Sequence, residues 1–181
     1  SLAIDKELSK KIFIKNNILT PKYLKFSYRN NINKLKLINN LQKKIGFPLV
    51  VKPLNEGSSV NVFICNKNNI LKTLTKLNEY GEVLLEKYIP GREIQVAILE
   101  NKVLGAIELR PTRKFYDYQA KYNPKARTEH IIPVEISKRK YQELTKIALK
   151  AHKILNCRGV TRSDFRYYKN SFYLLETNTQ P

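Results

Sequence analysis

Four polar side chains near the C-terminus have the types and spacing of a metal site. Arg162 and Asp164 alternate along one predicted strand, and Glu176 and Asn178 alternate along the next. Because residues i and i+2 of a strand share a face, each pair points to one side of the hairpin. If the hairpin loop is centred on Asn170, Asp164 lies opposite Glu176, with side chains about 5 Å apart. Two carboxylates at that separation repel each other unless a cation lies between them.

This arrangement would suit a hard divalent cation. Mg²⁺ or Mn²⁺ prefers oxygen ligands, which Asp164, Glu176 and the amide oxygen of Asn178 would supply, with phosphate oxygens completing an octahedron. The alternative is a hairpin whose exposed acidic residues pair with nearby lysine or arginine. A slip of one residue in the register would put the two carboxylates on opposite faces and exclude the metal site.

A second candidate site is the loop that follows Lys52. The sequence continues as Pro53-Leu54-Asn55-Glu56-Gly57-Ser58-Ser59. Glycine and serine offer backbone N–H groups and hydroxyls to phosphate oxygens, and a lysine at the end of a strand adds a cation. The pattern differs from GxxxxGK[ST], which argues against a Walker-type NTPase. A plain hairpin turn with a solvated Lys52 is the alternative.

Two further segments could contact a nucleotide. The apolar strand that contains Glu86 continues into a Pro-Gly linker and Glu93, so its backbone could line an adenine pocket and Glu93 could bind ribose hydroxyls. Residues 115–122, FYDYQAKY, combine aromatic rings with a lysine, as expected of a lid that excludes water and presents a cation to a phosphate. Ordinary surface carboxylates in the first segment and nucleic-acid stacking in the second are the alternatives.

Composition limits the class of protein. The 181 residues include 34 Lys and Arg against 15 Asp and Glu, a net charge of +19, yet 42% are hydrophobic, as in an ordinary globular chain. The apolar runs are too short to cross a bilayer, so we expect no membrane partner. The lone Cys65 and Cys157 favour a reducing, cytoplasmic setting. The charge invites a nucleic-acid-binding module, but the lysines are scattered and form no arginine-rich tract or zinc-finger spacing.

The periodicity predicts alternating helices and strands, in an α+β fold of two lobes with a cleft between them. The predicted helices cover 5–16, 32–45, 70–77 and 137–156, and the predicted strands cover 23–28, 47–52, 60–65, 82–88, 93–99, 103–109, 160–167 and 172–178. Residues 111–129 are polar and lack periodicity, which predicts a long surface loop of functional importance. A boundary near 88–92 divides the chain into lobes 1–90 and 91–181.

Taken in order, the motifs of this chain closely resemble those of the D-alanine-D-alanine ligases, ATP-grasp enzymes of peptidoglycan precursor synthesis. They are Ile4-Asp5-Lys6, Val51-Lys52-Pro53, Glu56-Gly57-Ser58-Ser59, Glu86-Lys87-Tyr88, Gly91-Arg92-Glu93, FYDYQAKY, Gly159-Val160-Thr161-Arg162-Ser163-Asp164 and Leu175-Glu176-Thr177-Asn178-Thr179-Gln180-Pro181. The resemblance covers essentially the whole chain. The FYDYxAKY and LExNTxP motifs are specific to this family rather than to ATP-grasp enzymes in general.

The resemblance implies an ATP-grasp fold, with mainly antiparallel sheets enclosing a nucleotide cleft. Residues 1–90 would form the central lobe with its glycine-rich loop, and 91–181 a truncated C-terminal lobe with the metal site and the lid. Family members have a further domain before the Ile4 motif and continue past Pro181, and this chain has no methionine. We therefore expect a fragment that binds nucleotide better than it turns over.

The resemblance also implies a role for each candidate residue. For the nucleotide, Lys52 and Lys121 would contact the phosphates, and the loop of Glu56, Gly57, Ser58 and Ser59 would close over them. Adenine would be bound by Glu86 and by the backbone of Lys87 and Ile89. Glu93 would bind the ribose. For the metal, Mg²⁺ or Mn²⁺, the implied ligands are Asp164, Glu176 and Asn178. For catalysis, Arg162 would stabilise the transferred phosphate, Ser58 would organise the D-alanine site, and Tyr122 would accompany D-alanine as the second substrate.

The implied reaction joins two D-alanines through an acylphosphate made from ATP. The implied partners are ATP and D-alanine, and nucleic acid is not among them. The oligomeric state stays open, and the alternatives include a homodimer of the full-length protein. Asn61 replaces a usual glycine, and Gln119 replaces a usual glutamate. The resemblance therefore does not settle which residues of the lid pair with each other. Another ATP-grasp carboxylate-amine ligase and a basic nucleic-acid-binding module are the alternative functions.

Overall fold

The computed structural model describes residues 2–28, 33–54, 56, 60–111, 128–179 and 181. They form two units: the larger unit comprises Ser1–Thr20 and Ile89–Pro181, and the smaller unit comprises Pro21–Tyr88. The helices are α1 (Lys6–Lys15), α2 (Lys34–Lys44), α3 (Ile70–Lys76) and α4 (Lys138–Ile154). The strands are β1 (Tyr23–Ser27), β2 (Leu49–Pro53), β3 (Phe63–Cys65), β4 (Glu82–Lys87), β5 (Arg92–Leu99), β6 (Lys102–Pro111), β7 (Thr128–Ile131), β8 (Val160–Tyr168) and β9 (Ser171–Asn178).

The smaller unit is a four-stranded antiparallel sheet in the order β1-β4-β2-β3, with helices on one face. Side chains of β2 and β4 alternate between the faces. Leu49, Val51, Val83 and Leu85 share a buried cluster with residues of α2 and α3. The opposite face of these two strands therefore carries the alternate positions, which include two of the candidate nucleotide residues.

The larger unit is a five-stranded antiparallel sheet in the order β7-β6-β5-β8-β9. Ile94, Val96 and Phe165 lie on the face that packs against Phe13 of α1 and Leu144 of α4. Ser137 caps α4 by accepting a hydrogen bond from the Lys140 backbone, which fixes where this helix begins. The alternate residues of β5 and β8 point to the face away from α1 and α4, and this face carries the candidate metal ligands.

The N-terminal helix packs in the larger unit, whereas the sequence assigns residues 1–20 to the first lobe. The reason is a set of long-range contacts. Phe13 and Ile18 belong to the same core as β5 and β8, and the Leu174 N–H of β9 donates to the Leu19 carbonyl at 2.8 Å. These apolar and backbone contacts tie the start of the chain to its end.

The other differences from the predicted elements are local. Strand β7 begins at Thr128, inside the predicted loop 111–129, because its backbone pairs with β6. The remaining elements begin or end within a few residues of their predicted bounds. Among the described residues, no helix combines the length and apolar character needed to span a membrane.

Candidate active site

The register of the β8–β9 hairpin confirms the predicted pairing of the two carboxylates. Asp164 lies directly opposite Glu176, and Arg162 lies opposite Asn178. All four are on the face of the sheet that points away from α1 and α4, since they alternate with buried residues such as Ser163 and Thr177.

The hairpin reaches this register by a route that the sequence did not predict. Its turn is the residue pair Lys169-Asn170, both with positive φ, 45° and 64°, as in a two-residue I′ turn. That turn pairs Tyr168 with Ser171 and Phe165 with Leu174. A β-bulge then shifts the register by one residue between Phe165 and Asp164. The bulge, and not a loop centred on Asn170, brings Glu176 opposite Asp164.

Asp164 is the centre of a compact group of hydrogen bonds. Arg162 donates to it twice, from Nε at 2.7 Å and from Nη2 at 2.9 Å, and Asn178 Nδ2 donates at 3.1 Å. The Asp164 carboxylate is nearly buried, so these charge-assisted bonds act with little screening. Arg162 is thereby held beside the candidate metal ligands.

A further carboxylate, Glu93 of β5, lies on the same face. Arg166 Nη2 makes an ion pair with Glu93 Oε2 at 2.9 Å, and Arg166 Nη1 donates to the Gly91 carbonyl at 3.1 Å. Burial, together with the negative charges of Asp164 and Glu176, raises the pKa of Glu93 to about 7 against the opposing effect of Arg166. The larger unit therefore gathers carboxylates in one place and restrains them with arginines.

The donor set fits a hard cation in its chemistry. Asp164, Glu176 and Asn178 offer oxygen atoms, as Mg²⁺ and Mn²⁺ prefer, and phosphate oxygens would have to supply the remaining ligands. In the described part of the chain, no group of three or more His, Cys, Asp or Glu is placed to hold a metal ion.

In the smaller unit, two candidate nucleotide residues bind each other. Lys52 Nζ makes an ion pair with Glu86 Oε1 at 2.8 Å, and both side chains are nearly buried, at 8% and 4% exposure. The pair is diagonal across the β2–β4 ladder, where Lys52 faces Leu84 and Val50 faces Glu86. Sequence reasoning assigned these residues to phosphate and adenine separately and did not predict their contact.

At the end of β4, Lys87 already makes hydrogen bonds with its backbone N–H and its side chain. The Lys87 N–H donates to the Lys22 carbonyl at 2.8 Å, and the Lys87 ammonium donates to the Phe47 carbonyl at 3.0 Å. For adenine recognition, Lys87 can therefore offer its carbonyl. Glu56 is exposed, and Ile89 is half-buried.

Five candidate residues lie outside the described residues: Gly57, Ser58, Ser59, Lys121 and Tyr122. Asn61, the departure from a usual glycine, is described, and its φ of 54° is in the left-handed region that glycine adopts readily and asparagine tolerates. Its Nδ2 donates to the Tyr80 hydroxyl at 2.7 Å. Asparagine therefore fits this backbone conformation, and its side chain adds a hydrogen bond. Gln119 also lies outside the described residues.

Sequence reasoning missed one residue of this group, Arg166. The signal was available, because Arg162, Asp164 and Arg166 alternate and must share a face of β8. What the sequence could not show is that β5 lies beside β8 with Glu93 directly opposite Arg166.

Two helix-backed antiparallel sheets with this set of lysine, arginine, carboxylate and amide groups define the class of ATP-grasp proteins. A family model described as D-ala D-ala ligase C-terminus matches residues 12–181. The chain belongs to this family.

Individual relatives agree with this assignment. The chain is 62% identical to a D-alanine–D-alanine ligase of Pelagibacter ubique, over 100% of this chain and 59% of the relative. It superimposes on the crystal structure of the D-alanine–D-alanine ligase from Bacillus anthracis with a TM-score of 0.84 and 35% identity, covering 99% of this chain and 58% of that one. The ATP complex of the Bacillus enzyme gives a TM-score of 0.79 at 32% identity, covering 99% and 57%. The chain thus spans somewhat more than half the length of these relatives.

Proposed function

We propose that this chain is the ATP-binding and metal-binding part of a ligase that joins two D-alanines to D-alanyl-D-alanine, for peptidoglycan precursor synthesis. One observation carries the proposal. In a chain of this family, Asp164 faces Glu176 and Arg162 faces Asn178 on the face of the sheet that points away from α1 and α4. The Bacillus relative, whose structure has been solved with ATP, supports ATP as the nucleotide.

The candidate nucleotide residues contact ATP in this proposal. Lys52 of the smaller unit and Lys121 contact phosphates, and the loop of Glu56, Gly57, Ser58 and Ser59 covers them with backbone N–H groups and hydroxyls. Glu86 and the backbone at Lys87 and Ile89 bind adenine. Glu93 of the larger unit accepts hydrogen bonds from ribose, and Arg166 keeps its carboxylate in place for them.

The candidate metal ligands hold Mg²⁺ or Mn²⁺ on the larger unit. Bound there, the ion would offset the negative charge that develops on the ATP phosphates. Arg162, next to the same carboxylate, donates to the transferred phosphoryl group and later to the tetrahedral intermediate. Ser58 and Tyr122 orient the two D-alanines. The described residues carry cations and oxygen donors at this place, so catalysis depends on positioning and electrostatics.

The reaction balances in two steps. A carboxylate oxygen of the first D-alanine attacks the γ-phosphorus of ATP, which forms an acylphosphate and releases ADP. The amine of the second D-alanine then attacks the acyl carbon, which forms the peptide bond, releases phosphate and loses a proton. We place this reaction in the cytoplasm, where ATP is abundant and the free thiols of Cys65 and Cys157 stay reduced. A homodimer of the full-length protein is part of the same proposal.

A segment exchange tests the proposed function. The matching segment of the Pelagibacter ligase is replaced by this chain, which is 62% identical to it, and D-alanyl-D-alanine is measured after incubation with ATP, Mg²⁺ and D-alanine. We expect the dipeptide, with one ADP formed for each peptide bond, and none from L-alanine. The same chimera with Arg162→Met should lose product formation while it stays folded.

Two results would contradict the proposal. A folded chimera that makes no dipeptide would reject D-alanine ligation, and a product with another amine would point to a different ATP-grasp carboxylate-amine ligase. The family membership favours the ligase over a basic nucleic-acid-binding module. That module would instead bind DNA or RNA with a steep dependence on salt and would ignore Mg-ATP.

A further inference from the structure

The β-bulge that aligns Glu176 with Asp164 is held from outside the hairpin. Leu174 immediately precedes the bulged position, and both of its backbone polar groups bind the N-terminal segment. Its N–H donates to the Leu19 carbonyl at 2.8 Å, and its carbonyl accepts from the Thr20 hydroxyl at 2.8 Å. Because β9 is the edge strand of the described sheet, these bonds occupy its outer edge.

A buried lysine completes this contact. Lys10 of α1 is 1% exposed, and its Nζ donates to the Thr20 hydroxyl oxygen at 2.8 Å. The same hydroxyl donates onward to the Leu174 carbonyl, so an ammonium strengthens a hydrogen bond in a region of low dielectric. The chain Lys10–Thr20–Leu174 therefore restrains one peptide group next to the bulge.

The alternative register shows why this restraint matters. If the pairing of Phe165 with Leu174 continued without the bulge, Leu175 would lie opposite Asp164, and Glu176 would lie opposite Ser163. Ser163 is fully buried on the face that packs against the helices. A shift of one residue would thus turn Glu176 away from Asp164 and abolish the pairing of the two carboxylates.

We propose that Lys10 and Thr20 are positioning residues for the metal ligand Glu176, acting through the backbone of Leu174. The proposal rests on the function given above, because it takes Glu176 to be a metal ligand. It adds a dependence that the function alone does not require: metal affinity is sensitive to side chains of the N-terminal segment that touch neither metal nor nucleotide.

The test measures Mn²⁺ affinity by electron paramagnetic resonance, on the 181-residue chain with a non-hydrolysable ATP analogue. Thr20→Val removes the hydroxyl and preserves the shape, and Lys10→Met removes the ammonium. We expect each to raise the Mn²⁺ dissociation constant by about 10–100-fold, the usual range for groups that orient metal ligands. Thr20→Ser retains the hydroxyl and should restore affinity close to that of the wild type.

Lys140→Met is the matched control. Lys140 is also a nearly buried lysine, and its Nζ donates to the Asn170 carbonyl at 2.6 Å, at the turn of the same hairpin. This variant should lose stability as Lys10→Met does but keep Mn²⁺ affinity, because it acts on the other side of the bulge. Cross-strand nuclear Overhauser effects between Asp164 and Glu176 report the register directly, and they should weaken in Thr20→Val and Lys10→Met but not in Lys140→Met.

The outcomes separate the two proposals. Failure of the wild type to bind Mn²⁺ with the ATP analogue would contradict the proposed function. Binding by the wild type that is unchanged in folded Thr20→Val and Lys10→Met would overturn the positioning role and leave the function intact. Equal losses in Lys140→Met and Lys10→Met would also overturn it, because the effect would then follow general stability.

Discussion

The two units hold their candidate site residues by different means. In the smaller unit, Lys52 and Glu86 lie on β2 and β4, whose ladder runs from Leu49 opposite Lys87 to Pro53 opposite Val83 without interruption. In the larger unit, Asp164 and Glu176 face each other only because a bulge interrupts the β8–β9 ladder. The first arrangement follows from regular alternation, and the second depends on one local irregularity.

The two units also differ in how their charged residues are arranged. The smaller unit joins one cation to one carboxylate in a buried pair, so the charges of Lys52 and Glu86 offset each other. The larger unit holds Glu93, Asp164 and Glu176 on one face, with Arg162 and Arg166 as counter-charges. We infer that the smaller unit's pair serves folding as well as binding, while the larger unit keeps like charges together for a ligand.

The largest expected effect is on the buried pair. Lys52→Met leaves the Glu86 carboxylate buried without its 2.8 Å partner, which should lower the free energy of unfolding by about 3–5 kcal/mol. Urea denaturation measures this loss. Lys25→Met is the matched control, because the Lys25–Glu82 pair of the same sheet is exposed, at 39% and 45%, and should contribute at most about 1 kcal/mol. Equal losses in both variants would contradict a special role for the buried pair.

A smaller effect is expected in the larger unit. Arg166→Met removes the guanidinium beside Glu93, so the pKa of Glu93 rises further and the carboxylate is less available to ribose. Loss of a hydrogen bond to a charged group corresponds to about 10–100-fold in affinity, so we expect ATP to bind about 10-fold more weakly at pH 7. Calorimetry measures the change. Arg139→Met, on the exposed side of α4, removes the same charge and should leave ATP affinity unaltered.

The smallest expected effect is a pH dependence of stability, measured without metal and nucleotide. Burial raises the pKa of Glu93 from an ordinary 4.5 to about 7, so the folded chain binds more protons than the unfolded chain between these values. The contribution of Glu93 to stability is therefore present below about pH 4.5 and is lost as the pH rises to about 7. Glu93→Gln should flatten the melting temperature across this window relative to the wild type. An unchanged slope would assign the dependence to other groups.

The sequence predicts a good part of this site, because strand alternation and turns depend on residues that are close together in the chain. Strand alternation and the turn at Lys169-Asn170 place Asp164 and Glu176 on paired strands of one hairpin, and the i+2 rule puts Arg162 on the face of Asp164 and Asn178 on the face of Glu176. The bulge was not predictable, because the sequence carries no glycine or proline there to mark it.

Long-range contacts account for what the sequence could not predict. The Lys52–Glu86 pair requires that β4 lie next to β2, and the Glu93–Arg166 pair requires that β5 lie next to β8. The bond between Thr20 and Leu174 joins residues 154 positions apart. No periodicity within a short segment contains this information, so the sequence could not show which residues α1 packs against, while the bounds of α1 itself were predicted closely.

The most direct test of the metal site is the dependence of ATP binding on Glu176. Calorimetry compares the wild-type chain, Glu176→Ala and Glu129→Ala, an exposed carboxylate on β7 that serves as the charge-matched control. We predict that the wild type and Glu129→Ala bind ATP tightly only with Mg²⁺, and that Glu176→Ala loses the Mg²⁺-dependent gain. Tight Mg-ATP binding that is unaffected by Glu176→Ala would contradict the assignment of the β8–β9 hairpin as the metal site.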